Sequence, residues 1–183
     1  GTVGTNAADV LVGMGAEVLI FDINKNRLDE IENEFKGKVK TVYSSIDLLK
    51  EHLPTTDAVI GAVLVTGAKA PKLITKDMLK IMKPKTVLVD VSVDQGGCFE
   101  TTKPTTHSEP TYYVDDILHY AVANMPGAVP RTSTHALSNC TFPYAKILSE
   151  QTLDNLDDNF KKGINTVSYY TSDAADETVR VGL

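Results

Sequence analysis

The sequence has no tryptophan, only two cysteines and no surplus of positive charge. Cys98 and Cys140 lie far apart and form no C-x-x-C pair, which points to two reduced thiols of a cytosolic protein rather than a disulfide framework or a zinc site. Eighteen Lys and Arg stand against 24 Asp and Glu, so the chain has no basic face for phosphate neutralisation and no nucleic-acid partner is expected. No apolar run approaches the roughly 20 residues of a membrane span, so no membrane partner is expected either. His107, His119 and Glu109 show no metal-ligand spacing and read as polar residues of loops and strands, with no metal site. No strand and no initiator Met precede Gly1, and the chain is read as part of a longer protein. What is there is ordinary globular composition, 42% hydrophobic and 23% charged over 183 residues, enough for one good core or for one domain and a piece of another.

The stretch Gly1 to Asp22, GTVGTNAADVLVGMGAEVLIFD, organises the rest. Gly1 and Gly4, with Val3 between them, have the spacing of the second and third glycines of a dinucleotide fingerprint, where backbone approaches a pyrophosphate and a helix packs close to its strand. Val3, Ala7, Val10 and Met14 recur at helical spacing and predict an apolar face lying on a sheet, with the helix N-terminus offering N–H groups to phosphate. Gly13 and Gly15 end that helix, and Glu17 to Phe21 reads as a strand. Asp22 closes the strand about 20 residues past the glycines, where a carboxylate accepts both ribose hydroxyls and disfavours a 2′-phosphate, hence NAD over NADP.

Beyond Asp22, Leu28, Ile31 and Phe35 form a helical stripe ended by Gly37, and Val39 to Val42 is the next strand. Arg27 either reaches back over an adenosine at Asp22 or is a solvated helix arginine. Ser44 and Ser45 either cap the helix from Ile46 to Leu53 or lie where adenine would rest. Asp57 to Val65 is a nearly continuous apolar run, as expected of a buried parallel strand in which Gly61 allows close approach. The loop TGAKAPKLIT carries Lys69 and Lys72, read either as a mobile flap over the cofactor or as solvated lysines. A helix capped by Thr75 runs to Lys83-Pro84, and Lys85 to Val91 is a further strand. Ser92 to Glu100, with Asp94 and two glycines, is either a ligand loop or a plain Asp/Gly turn. The segment from Phe99 to Asp116 reads as irregular. Leu118 to Val122 is the last strand, followed by Asn124 and Met125. Thr132 to Thr134 cap a helix through Gln151 that Pro143 kinks. LDNLDDNFKKGI is a second amphipathic stretch, and a polar tail ends the chain.

Strands alternating with helices predict an α/β protein with a Rossmann-type doubly wound parallel sheet, its ligands at the carboxyl ends of the strands. Residues 1–130 are expected to form the NAD-binding domain, its first strand missing from the middle of the sheet. Residues 131–183 are expected to be helical and to return to a second, substrate domain.

The stretches VLVDVSVDQGGCFETTKPTTHSEPTY and HYAVANMPGAVPRTSTHALSN, with AVLVTGAKAPKLIT before them, closely resemble alanine dehydrogenase. The resemblance implies an enzyme that reversibly oxidises L-alanine to pyruvate and ammonia with NAD, by hydride transfer to nicotinamide C4, as a cytoplasmic homohexamer. It implies that Asp22 holds the adenosine ribose, that Arg27 and Ser44 lie around the adenosine, and that Val63, Leu64, Val91 and Asp94 lie along the cofactor. Asn124 and Met125 flank the nicotinamide end, and Asp94 resembles the family's catalytic carboxylate. The family's proton-shuttling histidine and its substrate-binding arginine and lysine belong to an N-terminal segment not in this sequence, so this polypeptide alone is expected not to turn over alanine. The alternatives are the NAD-binding subunit of proton-translocating transhydrogenase, against which DQGGCF argues, and a non-catalytic nucleotide-binding module.

Overall fold

The computed structural model describes residues 1–65 and 69–164. Thr66 to Ala68 of the TGAKAPKLIT loop and the polar tail from residue 165 lie outside the described residues. The chain divides into two compact units, Gly1–Ala128 and Val129–Leu183.

The first unit opens with α1, Thr2–Gly13, whose N-cap position is Gly1. Met14 and then Gly15, at φ +86°, end it, a backbone conformation that glycine adopts without strain. The buried face of α1 differs from the expected one. Ala8 is buried with Leu11 and Val12 against Val18, Ile20, Ile31, Phe35 and Val39, while Val3, Val10 and Met14 are exposed. Gly4, Ala8, Leu11 and Val12 also recur at helical spacing, and their two small leading residues let the helix approach its neighbours closely. Two stripes at the same period competed, and the one with the small residues packs.

Strand β1, Val18–Asp22, runs parallel to β2, Val39–Tyr43, with Asp22 opposite Tyr43. Between them α2, Lys25–Phe35, starts at Asn24, whose side chain accepts from the Arg27 N–H, and buries Leu28, Ile31 and Phe35 as its periodicity predicts. Ser45 caps α3, Ile46–His52, by accepting from the Leu48 N–H at 3.2 Å.

A second, four-stranded sheet has the order β3-β4-β6-β5, with β3 at Ala58–Gly61, β4 at Val87–Asp90, β5 at Thr111–Val114 and β6 at Ile117–Tyr120. β3, β4 and β6 are parallel, and β5 is antiparallel to β6. Helix α1 lies against both β1 and β3. The core of this half is Leu53, Ile74, Leu79, Leu88, Phe99 and Ile117 with their neighbours.

Four expectations are corrected here. The apolar run through Val65 is a strand only as far as Gly61, and Leu64 and Val65 are exposed. Past Gly61 the Ser92 hydroxyl occupies the backbone groups of Val63, so the ladder cannot continue. The helix after Thr75 is a single short one, α4, Lys76–Leu79; Thr75 makes no side-chain cap, and the Glu100 carboxylate takes the Lys76 N–H at 2.7 Å. The stretch read as irregular contains β5, which reaches β6 through Asp115 and Asp116, both at positive φ, as a two-residue hairpin turn demands. The Tyr-Tyr-Val-Asp-Asp pattern carried that signal, and the surrounding Pro and Thr masked it.

Gly61 is where the sheet meets its covering loop most tightly. A Cβ there would lie 2.1 Å from Cys98 Sγ and 2.8 Å from Phe99 Cζ, both on buried residues. We expect Gly61→Ala to cost about 1–3 kcal/mol, since an overpacked core must shift backbone or leave good rotamers. The urea midpoint checks it, and an unmoved midpoint would refute the close contact.

In the second unit α5 runs Pro130–Glu150. The expected Thr132–Thr134 cap is not used: Pro130 stands in the first turn, and Ser133 Oγ instead donates back to the Val129 carbonyl at 3.0 Å. Pro143 lies inside the helix, and α5 buries none of its residues. The amphipathic stretch after it is a 3-10 turn at Leu153–Asn155 and α6 at Asp158–Lys161, where Tyr144 of α5 packs on Phe160 with ring centroids 5.7 Å apart.

Candidate functional site

The carboxyl ends of the parallel strands bring the candidate residues into three groups. The first surrounds Asp22. Its Oδ1 accepts from the Asn24 N–H at 2.9 Å, its carbonyl accepts from the Ser44 N–H at 2.9 Å, and the Ser44 hydroxyl has no partner among the described residues. Arg27 is partly exposed, yet its guanidinium is engaged. Its guanidinium donates to Thr5 Oγ1 at 3.0 Å and to Glu30 at 2.7 Å, with Glu34 at 3.8 Å. Glu30 first, then Glu34 and Asp22, raise its already high pKa. Arg27 thereby ties the start of α2 to the first turn of α1 beside Asp22.

Gly1, Val3 and Gly4 lie on that first turn. The first intrahelical bond is Thr5 N–H to the Gly1 carbonyl, so among the described residues the N–H groups before Thr5 have no helical acceptor and no side-chain cap. Gly4 is less constrained than its place in the fingerprint suggests: a Cβ there would meet only Ala62 Cβ, at 3.8 Å, an ordinary contact.

The second group is built by β3 and β4. The Val91 N–H donates to the Gly61 carbonyl at 2.8 Å, and the Ser92 hydroxyl accepts from the Val63 N–H at 3.0 Å while donating to the Val63 carbonyl at 2.7 Å. Ser92 thus sets the chain carrying Val63 and Leu64 beside the one carrying Val91 and Asp94. Asp94 sits in a 3-10 turn, Val93–Gln95, exposed and without a hydrogen-bond partner among the described residues.

Beneath that turn is Asp90, buried at 1% exposure and never singled out by the sequence reading. Its carboxylate accepts from the N–H groups of Ser92 at 3.0 Å, Cys98 at 2.9 Å and Phe99 at 3.3 Å, and from the Thr102 hydroxyl. The Cys98 thiol lies against it, and burial first, then the Asp90 charge, pushes that thiol up to about 12, so Cys98 stays protonated at neutral pH. Gly97 is required there twice over, by its φ of +73° and because a Cβ would stand 2.7 Å from Asp90 Oδ2.

The third group follows β6. Asn124 has φ +57°, and Met125 opens a 3-10 turn, Met125–Ala128. The Asn124 carbonyl lies 3.0 Å from His107 Nε2 and accepts from the Gly127 N–H at 2.9 Å. His119 stays apart from the site: buried between Thr101 Oγ1 and the Ile117 carbonyl and stacked on Tyr112, it is pushed down in pKa chiefly by burial, which favours the neutral ring.

These ends suit an extended ligand with anionic and hydroxyl-bearing parts. The first-turn N–H groups of α1, one oxygen of Asp22, the Ser44 hydroxyl and the Asp94 carboxylate are all unspent among the described residues, and apolar Ile23 and Leu64 stand exposed at the same strand ends. That donor and acceptor set fits a dinucleotide.

Comparison with known proteins narrows the choice. The family model described as alanine dehydrogenase/PNT, C-terminal domain, matches residues 1–172. The chain is 55% identical to alanine dehydrogenase of Halomonas elongata over 168 residues, covering 90% of this chain and 45% of that protein. It is 54% identical to alanine dehydrogenase of Mycolicibacterium smegmatis, covering 91% and 46%. Among solved structures, an L-alanine dehydrogenase superposes with a TM-score of 0.83 at 48% identity, covering 91% of this chain and 46% of that one. A transhydrogenase from Sinorhizobium meliloti superposes at 0.67 with 25% identity, covering 80% and 42%. The chain spans a little under half the length of the relatives it matches.

Proposed function

Because this chain belongs to the alanine dehydrogenase/PNT C-terminal domain family, we propose that it is the NAD-binding half of an L-alanine dehydrogenase. The observation that carries the reading is Asp22 at the carboxyl end of β1, next to the helix from which Arg27 reaches Thr5 in the first turn of α1. Together they supply a carboxylate for the ribose hydroxyls and N–H groups for the pyrophosphate. The transhydrogenase reading is the weaker one, at 25% identity against 48% for the solved L-alanine dehydrogenase.

When bound, NAD supplies the hydride acceptor for alanine Cα. This chain's residues do the rest at their own positions. Asp22 fixes the adenosine ribose, with Arg27 and Ser44 around the adenosine, and Gly1, Val3 and Gly4 present their backbone to the pyrophosphate. Val63, Leu64 and Val91 line the path between the two ends, and Asn124 and Met125 border the nicotinamide end. Asp94, exposed in the turn after β4, serves as the catalytic carboxylate and holds the substrate's ammonium, while the proton shuttle is the histidine outside this sequence. The substrates are L-alanine and pyruvate with ammonia, and the whole protein works as a cytoplasmic homohexamer. Residues 1–130 form the cofactor domain, and residues 131–183 return to the substrate domain.

The test is titration of NAD and NADP into the full-length protein, with alanine-dependent NADH formation as the second readout. NAD binding with NADH formation is expected. Cofactor binding without any reaction would favour a non-catalytic nucleotide module. Asp22→Ala is expected to weaken NAD about 10- to 100-fold, the worth of hydrogen bonds to a charged acceptor, and to narrow the preference over NADP. An Asp22→Ala protein that keeps wild-type affinity would remove the ribose assignment.

A further inference from the structure

We propose that Lys72 is a positioning residue for the Asp94 loop. The sequence offers a flap lysine or a solvated one; Lys72 is exposed, yet its ammonium is fully engaged. Lys72 Nζ donates to the carbonyls of Gly96 at 2.6 Å, Gly97 at 2.8 Å and Phe99 at 3.1 Å. An ammonium has three N–H donors, and all three are occupied, so Lys72 has none left for a phosphate or a substrate carboxylate.

The backbone on either side reinforces the grip. The Ala70 N–H donates to the Gln95 carbonyl at 3.0 Å, the Leu73 N–H to the Cys98 carbonyl at 2.7 Å, and the Glu100 N–H to the Ile74 carbonyl at 2.8 Å. The 95–100 loop is therefore held by two opposite charges. Asp90 gathers N–H groups of Ser92, Cys98 and Phe99, and Lys72 gathers carbonyls of Gly96, Gly97 and Phe99. Each glycine of the pair is at positive φ, so the loop has little intrinsic preference for this shape, and an external clamp is what selects it. Asp94 stands one turn before the clamped carbonyls. A displacement of the loop by about 1 Å is enough to cost up to 100-fold in rate when reacting groups must be held in register.

This inference rests on the proposed enzyme only for its rate readout, and its structural readout stands alone. In the full-length protein without ligand, hydrogen exchange of the Cys98 and Phe99 amides is compared between wild type and Lys72→Met. We expect these amides to exchange at least about tenfold faster with Tm little changed, because local opening of one loop does not need global unfolding. With cofactor and alanine, kcat is expected to fall about 10- to 100-fold while KM for NAD moves by no more than about twofold, and Lys72→Arg is expected to restore most of the loss. Unchanged amide exchange in Lys72→Met overturns the proposal, and so does faster exchange with an unchanged kcat. If Lys72→Met does not fold, Lys72→Gln is read by the same criteria. A wild-type protein that never reduces NAD with alanine would refute the enzyme reading, while the exchange comparison would still decide the role of Lys72.

Discussion

Asp94→Asn in the full-length protein lowers kcat by about 10²- to 10³-fold, the range that loss of one electrostatic stabiliser of the reacting group costs, with NAD affinity changed no more than a few-fold. The substitution keeps the size and polarity of the side chain and removes only its charge and its capacity to take a proton. The split between kcat and binding follows from geometry. Asp94 is exposed in the turn after β4, whereas the residues assigned to adenosine, Asp22 and Ser44, follow β1 and β2. Steady-state kinetics with NAD, together with cofactor titration in the absence of alanine, make the comparison. A kcat within about fivefold of wild type would mean that Asp94 is a turn residue with no part in the reaction.

Asp90→Ala unfolds far more easily than the wild type, by about 3–5 kcal/mol, because each buried donor left without an acceptor costs roughly 1–3 kcal/mol and several are orphaned together. The donors are three backbone N–H groups and the Thr102 hydroxyl. They converge on a carboxylate at 1% exposure, so solvent cannot replace it without opening the loop. A net stability of about 5–15 kcal/mol makes this a substantial fraction of the whole. Urea unfolding shows it as a lower midpoint with an unchanged slope. A loss below about 1 kcal/mol would mean that the donors find other acceptors at once.

The sequence made the alternation of elements legible because helical stripes such as Leu28, Ile31 and Phe35 have one reading. In α1 two stripes shared the same period, and only packing could choose between them. The place of Asp22 at the end of its strand was legible from the short apolar run before it. Asp90 and Lys72 were not, because nothing local marks either residue: one is an acid at the end of an apolar strand, the other a lysine in a loop. Their roles depend on carbonyls and N–H groups more than 20 residues away from Lys72 and up to nine away from Asp90. The hairpin into β6 was readable from its two adjacent aspartates, yet composition outweighed pattern.

The strand order described above has a consequence for strand pairing. β1 is hydrogen-bonded only on its β2 side and β3 only on its β4 side among the described strands. Each therefore presents a bare ladder of amide groups, and such edges recruit strands from other molecules unless charge or proline blunts them. Leu19 to Phe21 and Val59 to Ile60 hold neither, so both sides are open to a further strand, whichever polypeptide supplies it.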